Sequence, residues 1–233
     1  RRQVRQRVDR EGEPPRNPVL GGTSKADTSN DGRGERPAGA VGRRGAAGPC
    51  AVGRGSSVLD HALIKPNTVI GPVCKVAGEI GGTIFQSYSN KAHDGHLGDA
   101  WVGEWANFGA GTTNSNLLNT YGEIVARTEV NGQRQRTGLN FFGGAIGDHV
   151  KFAICSRLMT GSIFGTGAMI ASTAAPPTTV KRFAWITDDG ERTYAIDKFI
   201  DVARTMMGRR KVALTLAMEQ SSRAVLAKHA SLA

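Results

Sequence analysis

Apolar side chains recur at every sixth position in two separate runs of this chain. The first run is Val52, Val58, Ile64, Ile70 and Val76; the second is Ile146, Phe152, Leu158, Phe164 and Ile170. One further step, Val102 to Phe108, lies between them. A period of six matches neither the 3.6-residue repeat of a helix nor the two-residue alternation of a plain strand. It is the repeat of a parallel β-helix, in which each hexad supplies one short strand and one corner. In the left-handed form, three hexads close one triangular coil and the recurring side chain fills the axis. Glycine follows the inward residue at Gly53, Gly71, Gly103, Gly109, Gly147 and Gly165. A corner that needs positive φ, or a close backbone approach, selects glycine there. The expected fold is an all-β solenoid, a left-handed parallel β-helix of hexapeptide repeats.

The same architecture accounts for the composition. Aromatic residues make up only 6% of 233 residues, and a solenoid that buries its core between stacked coils needs few of them. The length suits one solenoid domain with appendages. Net charge is +10, unevenly spread: residues 1–55 hold twelve Lys+Arg against six Asp+Glu. That excess sits in a Gly/Arg/Pro-rich head without aromatics, the composition of a solvated, disordered segment rather than a nucleic-acid arm. No nucleic-acid partner is expected. No membrane association is expected either, because no run is long and apolar enough to span a bilayer. The Arg-rich start also lacks the apolar region of a signal peptide. Cys50, Cys74 and Cys155 are odd in number and widely spaced, which fits neither a disulfide framework nor a metal set. A cytoplasmic protein is the expectation. Opening on Arg1-Arg2 rather than Met points to a piece of a longer chain.

Three regions follow: a head over residues 1–49, the β-helix over 50–175, and a C-terminal extension over 176–233. The ladder pauses after Val76, so residues 77–96 read as an irregular stretch. A second interruption covers about 114–140. Inside it, Glu123 to Val130 meets Asn131-Gly132 and then Gln133 to Thr137. An Asn-Gly pair between strand-like segments signals a hairpin, here extruded from the solenoid and placed to wall a cleft. Pro176-Pro177 breaks the pattern, and Phe183-Ala-Trp185-Ile reads as a strand or a docking segment. From Tyr194, the residues Ile196, Phe199, Ile200, Ala203 and Met207 fall at helix spacing with Gly208 as a stop. A second helix fits Val212 to about Lys228. Together they make a helical cap.

The densest polar cluster runs from Ser87 through Lys91, His93, Asp94 and His96 to Asp99. Histidine serves as a general base near neutral pH without large tuning. One beside a backbone-lined cleft can deprotonate an attacking amine or hydroxyl while N–H groups hold the oxyanion. On spacing alone, His93 and His96 are better read as corner residues that satisfy nearby carbonyls.

These residues carry a resemblance. Lys91-Ala92-His93, then Leu97-Gly98-Asp99-Ala100, then Asn107-Phe108-Gly109-Ala110-Gly111-Thr112 and Asn116 resemble a bifunctional enzyme family. It is the acetyltransferase half of N-acetylglucosamine-1-phosphate uridyltransferase/glucosamine-1-phosphate acetyltransferase. There the pattern reads Lys-Ala-Gly-His, three residues, Leu-Gly-Asp-Ala, then Asn-Ile-Gly-Ala-Gly-Thr and an Asn. The segment from Tyr88 to Gly95, with Gly147-Asp148-His149, is similar to a branch of sugar nucleotidyltransferase-like proteins. The resemblance covers roughly residues 50–215 and implies acetyl-CoA as co-substrate, an amino sugar or sugar phosphate as acceptor, and a homotrimer. It implies that His93 is the catalytic base, that Lys65, His96, Asn107 and Asn116 bind substrate, and that Ala110, Ile154 and Ser172 meet acetyl-CoA. His96 stands where the family has a substrate-contacting tyrosine, and Leu117 replaces another. A sugar-site lysine expected near Val76-Ala77-Gly78 is missing. The nucleotidyltransferase half has no counterpart in residues 1–49.

Two other readings compete. The solenoid suits a non-catalytic module that trimerises or regulates a sugar-1-phosphate nucleotidyltransferase. Solenoid trimers also hold zinc between histidines, for which His93, His96 and His149 are candidates by count alone.

Overall fold

A computed structural model describes residues 49–230. The reading of the head as disordered therefore lies outside the described residues, save for Pro49. The chain winds into a left-handed β-helix with three parallel faces. The first face stacks Cys50–Val52, Thr68–Ile70, Ile84–Phe85, Ala100–Val102, Gly144–Ile146, Ser162–Phe164 and Thr179–Val180. The second runs from Ser57–Val58 through Lys75–Val76, Asn90–Lys91, Asn107–Phe108, Lys151–Phe152 and Met169–Ala171 to Ala184–Thr187. The third holds Leu63–Ile64, Glu79–Gly81 and His96–Gly98, and beyond them Thr113–Asn114 paired with Arg157–Leu158.

The six-residue ladder fills the bore. From Ile64 to Ile170 each of its members is at most 3% exposed. Val52, in the first strand of the described residues, is 37% exposed. Phe108 stacks on Phe152 with ring centroids 5.1 Å apart, and Phe164 meets Phe152 edge-on at 4.9 Å. Residues 77–96 are not irregular. They form a full coil with shortened corners, in which Ile80, Phe85, Lys91 and Leu97 point inward. The pattern was hidden because one inward position holds a lysine, 1% exposed.

The corner glycines serve close approach, not positive φ. A Cβ at Gly71 would lie 1.3 Å from the Gln86 carbonyl oxygen of the next coil. Left-handed φ falls two positions later, on Val73, Trp105 and His149, and also on Tyr88 and Phe183. Such a residue costs about 1–2 kcal/mol. Here stacking offsets it: Tyr88 lies 4.2 Å from Trp105 at 7°, and His149 follows at 6.3 Å.

The interruption after Asn114 is the extruded hairpin. Val125–Ala126 pairs antiparallel with Gln135–Arg136. It folds over the first face, where Thr179 Oγ1 donates to the Arg127 carbonyl (3.1 Å) and Arg182 pairs with Glu129 (2.8 Å). The cleft it walls, about 320 Å³ beside Trp101 and Arg182, therefore lies on a different face from His93.

Phe183-Ala-Trp185-Ile resolves as a strand, Ala184–Thr187, which also pairs with Gly190–Thr193. Helix α1 spans Ile196–Gly208 and buries Phe199, Ile200, Ala203 and Met207. Phe199 packs edge-on to Phe183 and His149. The helix caps the last coils and continues along the second face, where Arg210 beyond its end donates to the Val73 carbonyl (3.1 Å). Helix α2, Leu216–Ala230, begins later than its apolar residues suggest. The Thr215 hydroxyl accepts the Met218 N–H and sets the start.

Candidate active site

Coil register brings four of the expected residues onto one edge. Lys91, Phe108, Phe152 and Ile170 are successive inward residues of the second face. His93, Ala110, Ile154 and Ser172 each follow by two positions, so they occupy the same corner slot of four consecutive coils. Strands stack about 4.8 Å apart, so this column is about 14 Å long. His93 is exposed at its upper end, and Ile154 is 71% exposed. The N–H groups of Ala110, Ile154 and Ser172 make no hydrogen bond among the described residues. The result is a column of unused donors leading to an imidazole, half-buried at Ala110, exposed at Ile154 and buried at Ser172.

The corner that presents His93 is held from inside and outside. Lys91 Nζ donates from the bore to the carbonyls of His93 (3.0 Å) and Asp94 (2.9 Å). Burial pushes the Lys91 amine down to about 8, partly countered by the Asp94 carboxylate. Outside, Asp94 Oδ1 accepts the Gly111 N–H (3.2 Å) and ties this corner to the next.

A second polar cluster lies on the third face. Register places Glu79 beside His96. The Glu79 carboxylate accepts from Lys65 Nζ and lies 3.3 Å from His96 Nδ1. Lys65, and then His96, hold that carboxyl below the usual range. Asn116 Nδ2 donates to Asp99 Oδ2 (2.6 Å). A Cβ at Gly98 would sit 2.6 Å from His96 Nε2 and 2.7 Å from Asn116 Nδ2. The bare glycine therefore lets those two side chains converge. Below them the buried Asn114 amide clamps the Gly98 N–H (2.8 Å) and carbonyl (2.9 Å).

Lys65, His96 and Asn116 thus share one face, and His93 shares a corner with the cofactor candidates. Asn107 stands apart on the second face, where its Oδ1 accepts from Asn90 (2.9 Å). Glu79 was missed in the sequence, whereas Lys91 and Asp99 were read there only as members of the polar cluster and its motif. Glu79 was detectable only as the residue opposite His96 once residues 77–96 are counted as a coil. His149 does not join His93 and His96: it is packed between Trp105 and Phe199 at another corner. Burial pushes its imidazole down to about 4, helped by the Lys151 charge. Among the described residues no group of three or more metal-ligating side chains converges.

These features define a hexapeptide-repeat β-helix with a histidine at the head of a column of unpaired N–H donors. The chain is similar in sequence to bifunctional GlmU proteins. It is 37% identical over 91 residues to that of Gloeobacter violaceus, covering 38% of this chain and 19% of the relative. It is 31% identical over 113 residues to that of Methanococcus vannielii, covering 48% and 27%. A bifunctional sugar-1-phosphate nucleotidylyltransferase/acetyltransferase of Sulfurisphaera tokodaii is 30% identical over 112 residues, 47% and 27% of the two chains. The match therefore spans about a fifth to a quarter of these relatives' length. No family model matches. Among solved structures, a mutant of AntD, an N-acyltransferase from Bacillus cereus, in complex with dTDP and coenzyme A, superposes with a TM-score of 0.41. Identity is 14%, over 68% of this chain and 91% of that one. The polysialic acid O-acetyltransferase OatWY gives 0.31 at 15% identity, over 61% and 86%. Both superpositions are too distant to bear on function.

Proposed function

We propose that this β-helix is an acetyl-CoA-dependent acyltransferase acting on an amino sugar or sugar phosphate in nucleotide-sugar metabolism. The observation that carries the reading is the corner column: His93 exposed above three consecutive unused N–H groups. An extended thioester arm bearing amide carbonyls fits donors spaced one coil apart, and its reactive end then reaches His93. His93 takes the proton from the acceptor amine as that nitrogen attacks the thioester carbonyl. The same proton goes to the departing thiolate, so the imidazole ends unchanged. The third-face cluster supplies acceptor binding: Lys65 offers a cation for a phosphate, and His96 and Asn116 offer polar contacts for hydroxyls. Asn107 is the outlying member of that set.

A homotrimer belongs to the same proposal. The outward residues of the first face register as Ala51, Val69, Ile84, Trp101, Ala145 and Ile163. Val69, Ile84 and Trp101 are 42, 39 and 48% exposed. An apolar ladder of that kind marks a protein interface. It also favours the second reading, a non-catalytic module that assembles a sugar-1-phosphate nucleotidyltransferase. Cys50, Cys74 and Cys155 are all free, which supports a reducing compartment such as the cytoplasm. Among the described residues no helix is long and apolar enough to cross a membrane.

Acetyl transfer to glucosamine 1-phosphate tests the enzyme reading. Transfer should occur, and His93→Ala should lower kcat by about 100-fold or more with the fold intact. Equal turnover in the variant would remove His93 from the reaction. No acetyl-CoA binding by the unmodified chain would favour the assembly module.

A further inference from the structure

The second face carries a site apart from the histidine corner and the third-face cluster, sharing only Asn107 with the acceptor set. We propose that the groove between this face and the C-terminal end of α1 binds a phosphate-bearing small molecule. The site stands on its own observations and does not depend on acetyl transfer.

Register lines up the outward side chains of this face as Lys75, Asn90, Asn107 and Lys151. At about 4.8 Å per strand the row is about 14 Å long, a cation at each end and two amides between. Met206 of α1 lies over it, and Arg209 and Arg210 follow the helix end. Two adjoining cavities of about 300 and about 430 Å³ open along the row and share Asn107, Met206 and Arg209.

The charge is one-sided. Among the described residues, none of Lys75, Lys151, Arg209 and Arg210 has a carboxylate within ion-pair distance. Lys151 Nζ reaches only the Met206 thioether (3.2 Å), a weak acceptor. Arg210 donates to the Val73 carbonyl of the β-helix rather than to its own helix, so the helix dipole does not account for it. The one acid lining either cavity, Asp201, is paired with Arg204 (3.0 Å). Burial without an acidic partner pushes the Lys151 amine down to about 8. Asn107 spends its carbonyl on Asn90, which leaves its amide N–H₂ free to donate into the groove. Cations converging on a cavity, Lys151 and Arg210 half-buried and Lys75 and Arg209 exposed, make an oxyanion receptor together with the spare amide donor. Guanidinium groups match phosphate oxygens in pairs. A diphosphate is shorter than the row and fits its Lys151 end, where Asn107, Lys151 and Arg209 line one cavity.

Titration calorimetry with inorganic pyrophosphate tests this on the full chain, with coenzyme A as a parallel ligand. Pyrophosphate should bind and weaken as salt rises. Lys151→Met and Arg209→Gln should each weaken it by about tenfold or more, the loss of one charge-assisted hydrogen bond. His93→Ala should bind it unchanged. Lys151→Met keeps the side chain's shape, and its melting curve checks the fold. If coenzyme A displaces pyrophosphate and weakens in the same variants, the phosphates recognised are its own. If coenzyme A binds without displacing it, the groove serves a separate phosphate compound. Absence of pyrophosphate binding would overturn the proposal. So would undiminished affinity in both folded variants, or loss of binding in His93→Ala.

Discussion

Lys91→Met is the sharpest perturbation this architecture offers, because the lysine is the charged side chain in a bore filled, among the described residues, by apolar side chains and the Asn114 amide. Lys91 is 1% exposed, and burial lowers its amine from 10.5 to about 8. The unfolded chain then binds the proton more tightly than the folded one. Between those two values the unfolded state holds more protons, so stability rises with pH. Each pKa unit is worth about 1.4 kcal/mol, so this one group should add about 2–3 kcal/mol between pH of about 7 and about 10. Methionine fills the same volume without a titrating head, and that part of the rise should vanish. Urea unfolding of both proteins at the two pH values gives the difference directly, with other titrating groups common to both. The His93 and Asp94 carbonyls lose their inner donor, so acetyl transfer should also fall. A variant that keeps the full rise of the parent would refute the placement of Lys91 in the bore.

Other outcomes follow from single contacts. Gly71→Ala forces a methyl into the Gln86 carbonyl at 1.3 Å and should lower stability by more than about 3 kcal/mol, read by thermal melting. Gly98→Ala meets only the mobile ends of His96 and Asn116; the fold should survive while the acceptor KM rises, measured by steady-state kinetics. The His149 imidazole, held at about 4, loses stability as pH falls from about 6.5 towards 4. His149→Phe should abolish that part of the acid sensitivity, about 2–3 kcal/mol, in denaturant titrations near pH of about 4. Trp101→Glu should shift sedimentation towards a smaller species if the first-face ladder joins copies of the chain.

The bore was legible because burial on a six-residue repeat needs no long-range knowledge. Ile146, Phe152 and Leu158 announce it by spacing alone. The coil through Ile80, Phe85 and Lys91 was not, since its corners are shortened and one inward slot is charged. The corner glycines were found, but their physical role was not decided by sequence: close approach falls at Gly71, while positive φ falls at Val73 and its aromatic successors. His93 was singled out by its motif alone. The column beneath it became a geometric fact only once the coils set Ala110, Ile154 and Ser172 in equivalent slots. The basic groove was invisible because Lys75, Lys151 and Arg209 are far apart in the chain. The trace of it was positional: Lys75 and Lys151 each precede an inward second-face residue.

Amide protection at the corner bears most directly on the functional account. Adding acetyl-CoA to the labelled chain should slow hydrogen exchange, or shift the amide resonances, at Ala110, Ile154 and Ser172 together. Amides on the first face, such as that of Ile163, should not move. Perturbation confined to the first face, or none anywhere at saturating ligand, would contradict the assignment of this edge as the thioester site.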